Sequence, residues 1–296
     1  GIVAWLKAIR IHQWLKNLLL FVPLVAAHQL GNIQSLSLSL IAFFSFSLCA
    51  SSVYIINDLL DLESDRNHPR KKFRPFACAK LPILHGVFVA TLLLGGSIAL
   101  GTLVGSDFLI ALLLYFVITV AYSLGVKRLI FVDCLTLATL YTVRIIAGAA
   151  AVSLSLSFWL LTFSIFIFLS LALVKRYAEL LVQSREGKNI VHGRGYLVSD
   201  APLLQILGIS SGYISTLVIA LYLRSENVTS LYSHPLAIWL FIPIFLFWIS
   251  WVWLKSSRGE MHDDPIVFAT RDKTSLLVAA ITGIVFVYAA NGIDLL

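Results

Sequence analysis

Nine long apolar stretches, at roughly 15–30, 36–58, 84–104, 107–124, 129–151, 157–178, 203–223, 236–254 and 275–293, leave this chain few folds to adopt. Hydrocarbon offers the backbone no water to bond, so a segment that crosses it must be a helix or part of a closed barrel. Barrel strands alternate apolar and polar residues over about 10 positions, whereas these runs are continuous. A helix needs about 20 mainly apolar residues to span the bilayer, and each run approaches that length. The expected class is therefore all-α, a polytopic membrane protein with nine transmembrane helices. Composition agrees, since 59% of the 296 residues are hydrophobic and only 12% charged, against about 25% charged in soluble domains.

Basic residues set the orientation. Lys7, Arg10 and Lys16 precede the first run; Arg66, Arg70, Lys71, Lys72, Arg74 and Lys80 follow the second; Lys127 and Arg128 follow the fourth. Lys175, Arg176, Arg185, Lys188 and Arg194 follow the sixth, and Lys255, Arg258, Arg271 and Lys273 follow the eighth, while the opposite loops hold only Arg224. Positive loops stay inside, which places the amino terminus and these loops in the cytoplasm and the carboxyl end outside. The net charge of +7 then lies on one face, where it suits anionic headgroups of membrane lipids and anionic substrates; no nucleic acid partner is indicated. Cys49, Cys78 and Cys134 lack paired spacing and read as free thiols. The chain starts at Gly1, so either a start residue is missing or the sequence is the membrane part of a longer protein.

The densest polar segment runs from Asn57 to Pro75. Asn57, Asp61 and Asp65 recur every four residues and Asp58 lies three before Asp61, so a helix would carry all four on roughly one face. Ionisable groups placed directly after an apolar run are functional candidates. Hard cations such as Mg²⁺ take carboxylate oxygens and keep waters and substrate phosphates in their shell, so Asp58, Asp61 and Asp65 are expected to hold Mg²⁺ with a diphosphate. Arg66, Arg70, Lys71, Lys72 and Arg74 would hold the remaining phosphate charge.

The pattern Asn57-Asp58-x-x-Asp61-x-x-x-Asp65 resembles the first aspartate-rich motif of the UbiA superfamily of intramembrane prenyltransferases. Its continuation through Arg66-x-x-Pro69-Arg70-Lys71-x-x-Arg74-Pro75-Phe76-Ala77, with Lys16-Asn17 upstream, is similar to the decaprenyl-phosphate phosphoribosyltransferase branch, and the similarity extends over nearly the whole chain. The resemblance implies a single UbiA-like domain over residues 1–296, with the helices around a central cavity that opens to the cytoplasmic side. It also implies that Lys16 and Asn17 reach a substrate phosphate, and that Tyr122, Lys127 and Arg128 correspond to the family's second cytoplasmic loop.

Three polar residues, Asp133, Tyr141 and Arg144, stand in the fifth run. An Arg in hydrocarbon needs a cavity or a partner, and Asp133 is about three turns away on the same helix, so Arg144 is expected to face an internal polar cavity rather than to snorkel, and Tyr141 and Arg144 are candidate substrate-binding residues. At the end of the sixth run, where ordinary members of the superfamily carry a second aspartate-rich motif, this chain has Lys175, Arg176 and Glu179. Two bases and one acid suit an additional phosphate better than a second Mg²⁺, a replacement that characterises the phosphoribosyltransferase branch. The stretch from Gln183 to Ser199 reads as a connector, Trp239, Trp248, Trp251 and Trp253 as lipid or interface contacts, and His262-Asp263-Asp264 as a loop rather than a metal site.

Together these expectations describe a Mg²⁺-dependent transferase of bacterial inner-membrane type, moving phosphoribose from phosphoribosyl pyrophosphate to a polyprenyl phosphate lipid in cell-envelope biosynthesis. Two other readings remain: transfer of a prenyl group to an aromatic or other acceptor, and a transporter lined by Asp61 and Arg144. The second fits poorly with polar groups gathered at one membrane face. Whether copies form a homo-oligomer stays open at this level.

Overall fold

The computed structural model describes residues 1–67, 71–187, 195–261 and 264–291. The chain is an integral membrane protein whose elements among the described residues are all helices, with no strand element. It forms two compact units, one from residues 1–125 and 143–155, the other from 126–142 and 156–296.

The first unit begins with α1 (Ile2–Ile9), which stops at Arg10, a left-handed residue with φ 56° and ψ 51°. The chain then turns into a 3-10 helix, Ile11–Phe21, and the short α2 (Val22–Ala26) with Pro23 in its first turn. The expected first span is thus replaced by a shorter apolar piece, Ile11–Ala26, and eight helices among the described residues are long and apolar enough to cross a membrane. Tertiary packing accounts for the difference. A Cβ on Gly148 would lie 2.0 Å from the Leu20 carbonyl oxygen, so only glycine admits the 3-10 backbone at that distance.

Next comes α3 (Ile33–Leu60), whose first turn is capped by the Asn32 side chain accepting from the Gln34 and Ser35 N–H groups, as orphan amides require. The helix breaks at Asp61 and resumes as α4 (Leu62–Asn67). Backbone bonds from Asp61 N to Asn57 O (2.9 Å) and from Asp65 N to Asp61 O (2.8 Å) carry the ladder across the break. Small residues let α3 lie against α5 (Ile83–Val104), as in other membrane helix pairs. Ser45 and Ser97 exchange hydroxyl-to-carbonyl bonds of 2.8 and 2.7 Å, and Ser52 donates to the Ala90 carbonyl at 2.8 Å. The unit is completed by α6 (Ser106–Leu124) and by residues 143–151 of α7 (Val132–Ala151).

In the second unit, residues 132–142 of α7 join α8 (Phe158–Arg185), α9 (Ala201–Leu223), α10 (Glu226–Thr229), α11 (Phe241–Ser257), α12 (Pro265–Ala269) and α13 (Lys273–Asn291). The α8–α9 seam again uses hydroxyls: Ser170 donates to the Gly208 carbonyl and Ser211 to the Phe166 carbonyl, both at 2.7 Å. α8 runs seven residues past its expected end at 178, so Lys175, Arg176 and Glu179 all lie within a helix.

The tryptophan expectation needs correction. Trp239 is exposed, but Trp253 is buried, and its indole N–H donates to Ser170 Oγ at 3.1 Å. Trp251 and Trp248 donate to Asp272 and Ser275, at 3.0 and 3.1 Å. These indoles carry apolar bodies inward and satisfy their single donor on a neighbouring helix.

Candidate functional site: buried carboxylates and their arginines

In the first unit a satellite core of Ala8, Ile55, Phe76, Leu81 and Ala90 forms beneath the basic segment. The Phe76 ring packs edge-on to Trp5 at 6.2 Å and lies so close to Gly86 that a Cβ there would come within 2.6 Å of it. This anchor fixes the chain just after Arg74. Arg74 Nη1 reaches Asp58 Oδ1 at 3.1 Å and Asp65 Oδ2 at 2.6 Å. Arg10 Nη2 lies 2.5 Å from the same Asp58 oxygen, and its guanidinium stacks 4.9 Å from the Tyr54 ring centre. The left-handed bend at Arg10 is uncommon for a side chain of this size, and the same residue makes the contact to Asp58.

Asp58 and Asp65 are both buried, so their separation from water is offset by two guanidinium groups. Asp61 is half-buried at the break between α3 and α4, Asn57 is half-buried, and Arg66, Lys71 and Lys72 are exposed. Arg70 lies outside the described residues, as do His68, Pro69, Lys188, Arg194, His262 and Asp263. Asp61 lies close enough for its charge to act on Asp58, and Arg74 joins Asp58 to Asp65.

These two fit a hard cation. Asp65 Oδ1 is buried with no hydrogen-bond partner among the described residues, and Arg74 Nη1 shows that a single positive centre touches both carboxylates. Among the described residues no three His, Cys, Asp or Glu side chains form a ready-made cage. Such a pair would leave the rest of a Mg²⁺ shell to waters and phosphate oxygens, the arrangement that ion favours.

Elsewhere in the unit Arg144, also buried, donates from Nε to Asn17 Oδ1 at 2.9 Å and from Nη2 to the Tyr115 hydroxyl at 3.0 Å. Asn17 passes its own amide to Ser47 Oγ at 3.0 Å, and Lys16 beside it is buried as well. Arg144 thus meets fixed polar partners. Tyr122 is half-buried in the last turn of α6.

The second unit separates Lys175 from Arg176. Arg176 is fully enclosed, 2.9 Å from Asp133 and paired also with Glu179. Tyr196 closes this group: its hydroxyl donates to Asp133 Oδ1 at 2.6 Å and accepts from Phe131 N–H at 2.8 Å. Burial, then the bond to Asp133, pushes the Tyr196 phenol well above its ordinary pKa, so it remains a donor. The chain around Phe131 follows the 3-10 turn Val126–Arg128, so Tyr196 also steadies the segment that bears Lys127 and Arg128. Lys175 turns elsewhere, with its Nζ 3.6 Å from Asp264 Oδ2. The Tyr141 hydroxyl lies 3.3 Å from each Asp264 oxygen, and its ring stacks on Phe168 at 4.9 Å.

Sequence reasoning missed Arg10, Asp133, Tyr196 and Asp264 as members of these groups. Asp264 did carry a signal, since Asp followed by Pro265 marks a helix start, and its carboxylate accepts from Ile266 N–H at 3.2 Å.

Multiple apolar helices and arginine-compensated buried carboxylates define an integral membrane protein with a charged cluster in its first unit. The chain belongs to the UbiA prenyltransferase family, whose model matches residues 18–268. It is 38% identical over 288 residues to the uncharacterized protein y4nM of Sinorhizobium fredii, covering 96% of this chain and 55% of that one, so it spans about half the relative's length. Nodulation protein NoeC of Azorhizobium caulinodans is 34% identical, covering 96% of this chain and 93% of the relative. Decaprenyl-phosphate phosphoribosyltransferase of Mycobacterium tuberculosis is 37% identical over 190 residues, 62% of each chain. A UbiA homolog from Archaeoglobus fulgidus bound to DMAPP and Mg²⁺ superposes with a TM-score of 0.71 at 15% identity, over 96% of this chain and 99% of that one, and shares the fold.

Proposed function

We propose that this chain transfers 5-phosphoribose from phosphoribosyl pyrophosphate to a polyprenyl phosphate, releasing pyrophosphate at the cytoplasmic face of a bacterial inner membrane. The observation that carries the reading is the Asp58–Arg74–Asp65 bridge, two buried carboxylates spanned by one cation. Similarity to a decaprenyl-phosphate phosphoribosyltransferase supports the choice of donor and acceptor.

Asp58 and Asp65, with Asp61 at the helix break, would hold Mg²⁺, which when bound supplies positive charge to the departing pyrophosphate. In the reaction a lipid-phosphate oxygen bonds to the anomeric carbon while the bond from that carbon to pyrophosphate breaks, and pyrophosphate leaves with the electron pair. The nucleophile is already an anion, so no residue has to remove a proton. The protein's part is positioning and electrostatics. Arg74 and the exposed Lys71 and Lys72 draw the phosphates toward the carboxylates, and the enclosed Arg144–Asn17–Tyr115 group keeps the adjoining backbone in place.

Incubation of the purified protein with labelled phosphoribosyl pyrophosphate, polyprenyl phosphate and Mg²⁺ tests the proposal. Label should pass into a lipid-soluble product with equimolar pyrophosphate, and a chelator should stop it. Inertness toward this donor, together with consumption of a prenyl diphosphate and an aromatic acceptor, would overturn it.

A further inference from the structure

We infer that Asp264, with Tyr141 and Lys175, forms a subsite for the vicinal hydroxyl groups of a sugar phosphate, an inference that rests on the sugar-phosphate transfer proposed above. The three side chains come from α12, α7 and α8 within one unit, and they surround one carboxylate. The Tyr141 hydroxyl is 3.3 Å from both Asp264 oxygens, which is a divided bond. Bonds from O–H to a carboxylate are about 2.5–2.7 Å when well made, so the phenol holds both oxygens loosely. Two adjacent hydroxyls, one to each oxygen, would supply two bonds of normal length in its place.

Charge argues for hydroxyls over phosphate at this point. Lys175 lies 3.6 Å from the Asp264 carboxylate, with about a third of its side chain exposed. A carboxylate this close offsets the ammonium and repels a phosphate oxygen, whereas a neutral diol meets an acceptor in Asp264 and donors in Lys175 and Tyr141. The set is also rigid. Asp264 is fixed by capping Ile266 N–H at 3.2 Å, the Tyr141 ring by stacking on Phe168 with planes 24° apart. Sites built to hydrogen-bond a hydroxyl discriminate strongly against the analogue that lacks it, because their polar groups are then left unpaired.

The test is calorimetric binding of ribose 5-phosphate and 2-deoxyribose 5-phosphate to the full chain in detergent. The wild type should favour ribose 5-phosphate by about tenfold or more, the worth of one bond to a charged acceptor. Asp264→Asn and Asp264→Ser both keep a helix-capping oxygen, and each should bring that ratio close to one while Mg²⁺-pyrophosphate affinity stays within about twofold. A ratio unchanged in both variants overturns the subsite. Failure to turn over phosphoribosyl pyrophosphate with the ratio intact would remove the proposed reaction and leave the diol site standing. Turnover without discrimination between the two sugars would remove the site alone.

Discussion

The Arg176 guanidinium stands 2.9 Å from the Asp133 carboxylate, and neither side chain has exposed surface. Two charges in such surroundings stabilise the fold only as long as both are present. Lys175, one residue earlier on the same helix, makes a looser and partly exposed pair with Asp264. Adjacent bases therefore have different surroundings, Arg176 holding α8 to α7 and Lys175 partly exposed beside Asp264.

Their substitutions should separate accordingly. Arg176→Ala leaves Asp133 buried and uncompensated, so it is expected to lose about 3–5 kcal/mol of stability. Lys175→Ala should cost less than about 1 kcal/mol and act on substrate affinity instead. Tryptophan fluorescence during denaturation in detergent reads the first effect. The pair Asp133→Leu with Arg176→Met should be more stable than Arg176→Ala alone, and a simple sum of losses would count against the buried-pair account.

Asp65→Asn and Asp58→Asn should each reduce turnover by about a hundredfold or more, the scale for removing one electrostatic stabiliser, with folding preserved. Asp65→Asn should be the more sensitive to limiting Mg²⁺, because Arg10 still contributes charge at Asp58. Titrating Mg²⁺ against initial rate would check this, and near-normal rates in both variants at limiting Mg²⁺ would exclude the metal role.

Helix content and most spans were legible because hydrocarbon enforces continuous apolar runs. The first span was not. Its 3-10 course depends on Leu20 meeting Gly148, a contact between residues far apart in the chain. The polar segment with Asp58 and Asp65 stood out by its spacing, yet the helix break at Asp61 and the contact of Arg10 with Asp58 did not, since the left-handed backbone of Arg10 and its reach are tertiary properties. Lys175 and Arg176 looked alike for the same reason: their acids, Asp264 and Asp133, lie on other helices. Trp253 resembled its interfacial neighbours until α9 and α8 enclosed it.

Asp272 gives a pH signature. Burial raises its pKa, but bonds from Ser275 N–H (2.8 Å) and Oγ (2.9 Å) and from the Trp251 indole, with the Lys255 charge, outweigh that and leave the carboxyl below its ordinary 3.8. A depressed folded pKa adds stability that is complete above the unfolded value and disappears as pH falls through the folded one. Asp272→Asn keeps the cap of α13 but removes the charge. Its melting temperature should fall below the wild type's at pH 7, and the gap should narrow below about pH 4. A gap that stays constant to pH 3 would contradict the assignment.

Under the proposed reaction, Arg74 would change partners when substrate binds. Its Nη1 compensates Asp58 and Asp65 at 3.1 and 2.6 Å, and in that reaction a phosphate-bearing Mg²⁺ would replace it there, freeing the guanidinium for a phosphate oxygen. Arg74→Ala should then have opposite effects on the two ligands. Before the donor is added, the variant's carboxylates have lost one of the two guanidinium groups that compensate them, so it should bind Mn²⁺, used as a spectroscopic stand-in for Mg²⁺, several-fold more tightly. With phosphoribosyl pyrophosphate present, loss of a charge-assisted contact worth about 1.5–3 kcal/mol should weaken donor binding roughly ten- to a hundredfold. Arg74→Lys should restore part of the donor affinity but not all, because an ammonium lacks the fork that spans two oxygens. Electron paramagnetic resonance titration gives the metal constant and KM the donor constant. If Arg74→Ala weakens both, Arg74 supports the carboxylates without exchanging with the metal, and the partner-switching account fails.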